Sequence, residues 1–170
     1  MHLNVEIKAQ CADPSHIREI LEREGAKSVG LDHQVDTYFD IENGRLKLRQ
    51  GNIENSLIHY KRPNLAGPKK SEVTLHPTQP DANSLKEVLT RALGIFITVD
   101  KKREIYFIEN VKFHLDSVKG LGYFVEIEAI DQDGTLGVDY LHEQCARFMD
   151  LFSITPDQLI DKSYSDLLSV

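Results

Sequence analysis

Cysteine is scarce in this chain of 170 residues. Cys11 and Cys145 stand alone, without the paired spacing of a zinc site or the density of a disulfide framework, so both are excluded as organising devices. Long apolar runs are missing too: no stretch approaches the ~18 residues of a membrane span. The opening Met1-His2-Leu3-Asn4-Val5-Glu6 also lacks the apolar core of a signal peptide, which leads to the expectation of a cytoplasmic protein with no membrane partner. Positive charge is in deficit, 20 Lys and Arg against 27 Asp and Glu, for a formal net charge of -7. That balance argues against non-specific nucleic-acid binding, which draws on an excess of cations across a surface. Neither internal repeats nor low-complexity segments are present, and 41% hydrophobic with 28% charged content suits one globular domain over residues 1–170.

What the chain does have is charge at every second position of several short stretches: Glu6 and Lys8; Arg45, Lys47 and Arg49; Lys101 and Arg103; Glu126 and Glu128. Residues two apart on a β-strand share a face, so each stretch puts charge on one side and aliphatic side chains on the other. A solvated sheet face gives the same alternation. The set resists that explanation, because Arg45, Lys47 and Arg49 crowd three like charges along about 13 Å of strand, where a solubilising face mixes its signs. Several such faces turned toward one interior would hold a polyanion, with carboxylates for its metal ion.

The periodicity predicts strands over Leu3–Gln10, His33–Asp40, Arg45–Gln50, Ser56–Arg62, Lys70–His76, Ile95–Ile108, Val111–Ser117 and Tyr123–Ile130, with a hairpin turn at Asn43-Gly44. Helices are expected after Asp13-Pro14, ending at Gly25; over Ala82–Leu93 with Leu85, Val88, Leu89 and Ala92 buried; and over Leu136–Phe152 with Leu141, Cys145, Phe148, Met149 and Phe152 buried. A further short helix opens at Thr155-Pro156. Eight strands can close into a barrel with room for side chains or one small ligand. With the charged faces inward, the outer surface is Val5, Ile7, Leu46, Leu48 and Ile127, and the amphipathic helices are there to cover it. The expected fold is therefore α+β: an eight-stranded antiparallel closed β-barrel with a charged lumen and helices outside.

The order of these motifs resembles the CYTH family, the adenylyl cyclase and thiamine triphosphatase superfamily also called triphosphate tunnel metalloenzymes, and within it the class IV adenylyl cyclases most. The resemblance rests on Asn4-Val5-Glu6-Ile7-Lys8, Asp36-Thr37-Tyr38-Phe39, Arg45 to Arg49, Tyr60-Lys61-Arg62-Pro63, Lys101 to Tyr106, Gly120 to Glu128 and Ser163 to Leu168, which together span the chain. It implies Lys8, Arg45, Lys47, Arg49, Lys61, Lys101 and Arg103 as phosphate-binding cations, with Lys8, Lys61 and Arg103 the catalytic candidates. Forked guanidinium and compact ammonium donors suit phosphate oxygens. It implies Glu6, Asp116, Glu126 and Glu128 as carboxylates for Mg²⁺ or Mn²⁺, hard ions that take oxygen ligands. Asp116 could equally close a strand, and His59, on the face of Lys61, is a proton carrier only if it is not structural. Lys70 and Glu72 would add one more lumen face.

The chain departs from the pattern at Asn4, where the family has a glutamate, which removes a negative charge from the metal side. Ser71 also stands where relatives carry a larger or more basic stretch. The resemblance implies a small-molecule triphosphate partner, ATP, tripolyphosphate or thiamine triphosphate, and is compatible with a homodimer. The resemblance implies first a metal-dependent conversion of ATP to cyclic AMP and pyrophosphate; the alternatives are hydrolysis of an inorganic or thiamine triphosphate to orthophosphate, or binding of a nucleotide or polyphosphate without turnover.

Overall fold

The computed structural model describes residues 1–170. Its eight strands are β1 (His2–Gln10), β2 (Lys27–Phe39), β3 (Arg45–Gln50), β4 (Asn55–Lys61), β5 (Lys69–Pro77), β6 (Ile95–Ile108), β7 (Val111–Val118) and β8 (Gly122–Asp131). They close into a barrel in the order β1-β5-β4-β3-β2-β6-β7-β8, and β8 pairs back onto β1 with every neighbouring pair antiparallel. Closure leaves no free sheet edge. The helices are α1 (Pro14–Arg23), α2 (Asn83–Leu93), α3 (Val138–Leu151) and α4 (Tyr164–Leu168).

The alternating pattern divides the barrel as expected. Val5, Ile7 and Ala9 of β1, Phe113 and Leu115 of β7, and Val125, Ile127 and Ala129 of β8 point outward and are buried beneath Ile17, Ile20 and Leu21 of α1 and Leu141, Cys145 and Phe148 of α3. Phe113 meets the rings of Phe148 and Phe152 edge-on, at centroid distances of 4.8 and 5.6 Å. Truncating such a ring to alanine costs about 3–5 kcal/mol. Pro14 at the first helical position and the Asp13 carboxylate, which accepts from the Ser15 N–H, start α1 where the sequence signals it.

Three elements differ from their expected form. Strand β2 begins at Lys27 rather than His33, because the long β6 offers a partner along its whole length and a bulge between Ser28 and Gly30 absorbs the irregularity. Helix α2 has the right bounds but buries no residue: Leu85 and Leu89 pack beside Phe39 and Leu48, while Val88 is 63% exposed and Ala92 is also exposed. It covers the barrel with a narrow two-residue contact rather than a four-residue face. The segment opened by Thr155-Pro156 is a single 3-10 turn, Pro156–Gln158.

The end of the barrel where β1 finishes and β5 begins is crossed by the C-terminal segment. Ile160 N–H donates to the Lys8 carbonyl, and Tyr164 and Ser163 are buried. At the opposite end the β3–β4 turn, His2 and Pro77 surround an open mouth. The C-terminal segment thus lies at the end of the polar interior opposite that mouth.

Candidate functional site

The interior holds a cavity of about 380 Å³, within the ~300–1,000 Å³ of small-molecule sites. Strand parity decides its lining. β1 contributes Asn4, Glu6 and Lys8; β3 contributes Lys47 and Arg49; β6 contributes Lys101 and Arg103; β8 contributes Glu126 and Glu128. Arg62, just past β4, and Lys112 of β7 bring the cations to seven, against five carboxylates: Glu6, Asp36, Glu54, Glu126 and Glu128. A chain of net charge -7 thus encloses a cavity in which cations outnumber anions.

The carboxylates hold the cations in place. Asp36 accepts two bonds from Arg49, each 2.9 Å, and one of 2.7 Å from Lys101, with Lys47 3.5 Å away. Burial alone would raise its pKa, yet the three cations hold it well below the usual carboxylate range. One carboxylate cannot answer three cations, and burial together with the Arg49 and Arg103 charges brings Lys101 down to about 7 despite its bond to Asp36. Burial likewise brings Lys8 down to about 8; its ammonium lies 3.8 Å from the centre of the Tyr164 ring. Arg103 makes paired 2.7 Å bonds to Asp116 and reaches Glu126 at 2.9 Å.

Most expected site residues come together here, and three do not. Arg45 faces the end of the barrel that the C-terminal segment crosses and is engaged by Asp166 of α4 at 2.7 Å and by Asn64. Asp116 points inward but lies beneath the cavity, its oxygens taken by Arg103 and by the Tyr164 hydroxyl at 2.7 Å. Lys61 is a correction: it is exposed on the outer face of β4, and its neighbour Arg62 is the cation inside. His59 shares that outward face and bonds the Asn43 carbonyl, a structural role. The same one-residue offset applies to β5, where Lys70 and Glu72 are exposed and Lys69, Ser71 and Val73 face inward.

Sequence reasoning missed Arg62, Lys112, Glu54, Asp36 and His114. Lys112 and His114 share the parity of Asp116 along β7, a signal that was there to use. Glu54 sits in a turn, where parity says nothing.

Polar atoms left unpaired beside the cavity are the second sign of a binding site. The Oδ1 of Asn4, the Nε of Arg62 and both ring nitrogens of His114 are buried without a hydrogen-bond partner. Buried polar groups are normally paired, and an unmade bond costs about 1–3 kcal/mol. A polar ligand bound in the cavity would supply partners.

Oxygen donors for a divalent ion gather on β1 and β8. Glu6 and Glu128 face each other across the β1–β8 pair, and Asn4, one inward position away, donates its amide to Glu128 while its Oδ1 stays free. Burial and the neighbouring Glu6 and Glu126 charges push Glu128 up to about 7, against the pull of the Lys112 ammonium. No trio of carboxylate, histidine or thiol groups gathers closely enough to hold an ion alone. These all-oxygen donors nevertheless fit Mg²⁺, which is commonly held by one or two carboxylates together with water and substrate phosphates.

Known proteins share this fold. A Methanocaldococcus jannaschii protein named "putative adenylate cyclase" is 27% identical over 176 residues, covering 97% of this chain and 98% of that protein. Among solved structures, the PH1012 protein of Pyrococcus horikoshii superposes with a TM-score of 0.80 at 22% identity, over 98% of this chain and 99% of that one. The Hippeastrum protein HpAC1, called a "putative adenylyl cyclase" with a dominant triphosphatase activity, superposes with a TM-score of 0.57 at 14% identity, over 99% and 94% of the two chains. The CYTH domain itself matches residues 2–157, so the chain belongs to the CYTH family.

Proposed function

We propose that this protein is a metal-dependent enzyme acting on a nucleoside triphosphate, and that it converts ATP to cyclic AMP and pyrophosphate. The observation that carries the triphosphate is the excess of cations in a cavity bordered by unpaired polar atoms. A polyanion with many acceptor oxygens answers both features at once. The nucleoside is favoured over a bare polyphosphate by the entrance wall, where Ile53, Ile58, Val73, Leu75 and Pro77 offer apolar surface to an organic group.

In this reading Lys8, Lys47, Arg49, Arg62, Lys101 and Arg103 grip the phosphates and spread the charge that develops as the α-phosphorus is attacked. The ribose 3′-hydroxyl oxygen forms the new bond to that phosphorus, its proton is released, and pyrophosphate leaves. Glu6, Glu126 and Glu128, with the Asn4 carbonyl oxygen, would hold Mg²⁺ or Mn²⁺, which supplies charge neutralisation on the phosphate oxygens. Arg103 belongs among the catalytic candidates because Asp116, Glu126 and the barrel wall fix its guanidinium facing the cavity. Lys61 does not, since it lies outside.

Hydrolysis by water at the terminal phosphorus uses the same grip, and the likeness to the Hippeastrum fold keeps it as the second reading. Incubation with Mg²⁺ or Mn²⁺ and, in parallel, ATP, tripolyphosphate and thiamine triphosphate, followed by phosphorus NMR, separates the two. Cyclic AMP and pyrophosphate support the cyclase. Orthophosphate from any of the three would replace it with a triphosphatase, and failure to bind all three would sink both.

A further inference from the structure

One of the five cavity carboxylates is unlike the others in how it is carried. Asp36, Glu6, Glu126 and Glu128 project from strands of the wall, whereas Glu54 comes from the β3–β4 turn at the entrance, with a side chain 26% exposed. That turn is built rigidly. Asp32, fully buried, accepts from three successive backbone N–H groups, Asn52 at 2.6 Å, Ile53 at 2.9 Å and Glu54 at 2.9 Å. Gly51 has no room for a side chain, since a Cβ there would lie 2.7 Å from both an Asp32 oxygen and the Glu54 carbonyl. The backbone is therefore fixed, and only the Glu54 side chain is free to move.

Its carboxylate bridges to the far wall. One oxygen accepts from Lys112 of β7, and the other takes Gln34 at 3.1 Å and lies 3.4 Å from Arg49. The Lys112 and Arg49 charges outweigh burial and hold it down to about 2, so it is ionised at any working pH. Two of the seven cavity cations are thus answered by an anion standing at the entrance.

Resting on the triphosphate reading, we infer that Glu54 is a built-in competitor for the polyanion site and sets the smallest anion that binds well. For Lys112 and Arg49 to grip a phosphate, the Glu54 carboxylate must rotate out to solvent, and every ligand bears that cost equally. Orthophosphate and pyrophosphate recover little of it, having few oxygens for the deeper cations. A triphosphate also engages Lys8, Lys47, Lys101 and Arg103 and exceeds it. A cost common to all ligands leaves the differences between their affinities unchanged but weakens the whole series, so at a given concentration only an anion with contacts to spare fills the site.

Glu54→Gln keeps the shape and the acceptor oxygen while removing the charge. Calorimetric titration with pyrophosphate and with tripolyphosphate, in chelator without metal, is expected to show both binding about tenfold tighter than to the parent, the scale of one partly screened charge. Pyrophosphate, undetected or weak with the parent, becomes measurable. Unchanged or weaker affinity in the variant, with parental tripolyphosphate binding intact, overturns the role of Glu54 and leaves the triphosphate reading standing. Binding of tripolyphosphate by neither protein removes both. Should the variant fold poorly, the carbon NMR signal of the Glu54 carboxyl in the parent decides: it shifts on saturation with tripolyphosphate if the group is displaced, and a static signal rules displacement out.

Discussion

Lys47 and Arg103 carry the same charge into the same cavity, yet removing them has different consequences. Lys47 is the outermost of three cations around Asp36, which retains Arg49 and Lys101 when it is gone. Lys47→Ala is expected to leave the melting temperature near that of the parent and to weaken tripolyphosphate binding by the ~1.5–3 kcal/mol of a charged hydrogen bond, about 10- to 150-fold in Kd by calorimetry. Parental affinity would place Lys47 outside the ligand's reach. Arg103→Ala strips the buried Asp116 of its paired partner and leaves it the Tyr164 hydroxyl alone. Breaking a buried pair costs about 3–5 kcal/mol, so chemical denaturation should show this variant far less stable as well as weak in binding. Asn4 is the third informative residue. Asn4→Glu sets a third carboxylate beside Glu6 and Glu128, and Mn²⁺ titrated by calorimetry without substrate should bind about tenfold tighter as ligand charge rises. An unchanged titration would put position 4 outside the metal site.

At the scale of the element, β4 shows how a strand can be found in sequence and still be read the wrong way round. Its inward residues are Ser56, Ile58 and Tyr60, continued by Arg62, while His59 and Lys61 point out. Charge inward, a rule that serves β1, β3, β6 and β8, fails where the barrel places apolar and aromatic groups at its entrance wall. A one-residue slip exchanges the two faces of a strand completely, and two adjacent cations give no hint which is inside. Arg62→Ala should therefore cost about tenfold or more in tripolyphosphate affinity, whereas Lys61→Ala should stay within about twofold. The reverse order in a binding assay would contradict the strand's orientation. Helix α2 makes the same point for helices: its apolar spacing is regular, but the barrel curves away and meets only Leu85 and Leu89.

For the molecule as a whole, enclosing so many cations ties stability to pH in an unusual direction. Burial brings Lys8 and Lys69 down to about 8 and Lys101 to about 7, whereas the unfolded chain keeps its lysines protonated to about 10.4. Between pH 7 and 8.5 the unfolded state binds more protons than the folded one, so stability rises with pH. Glu128, raised to about 7, opposes this, because the folded state still sheds its proton in the lower part of the window. The lysines outweigh it, and ligand-free protein should gain about 2 kcal/mol from pH 7 to 8.5 in urea denaturation at constant ionic strength. A flat or falling profile would mean that the interior is wetter than the packing implies. A bound polyanion should reduce the rise by keeping Lys8 and Lys101, which line the cavity, charged.

The sequence by itself determined the strand count, the closed barrel and the segregation of charge inside from aliphatic groups outside, because alternation at period two is a local property that every strand records. Of the eleven site residues that the family resemblance implies, eight line the cavity, among them Lys8, Lys47, Arg103, Glu6 and Glu128. Which charges pair was decided only by the tertiary structure. Cross-strand register sets Asp36 against Arg49 and Asp116 against Arg103, and the returning C-terminal segment draws Arg45 to Asp166. The turn that swings Glu54 onto Lys112 joins residues 58 positions apart. Such pairings depend on distances across a closed barrel, which no local pattern contains.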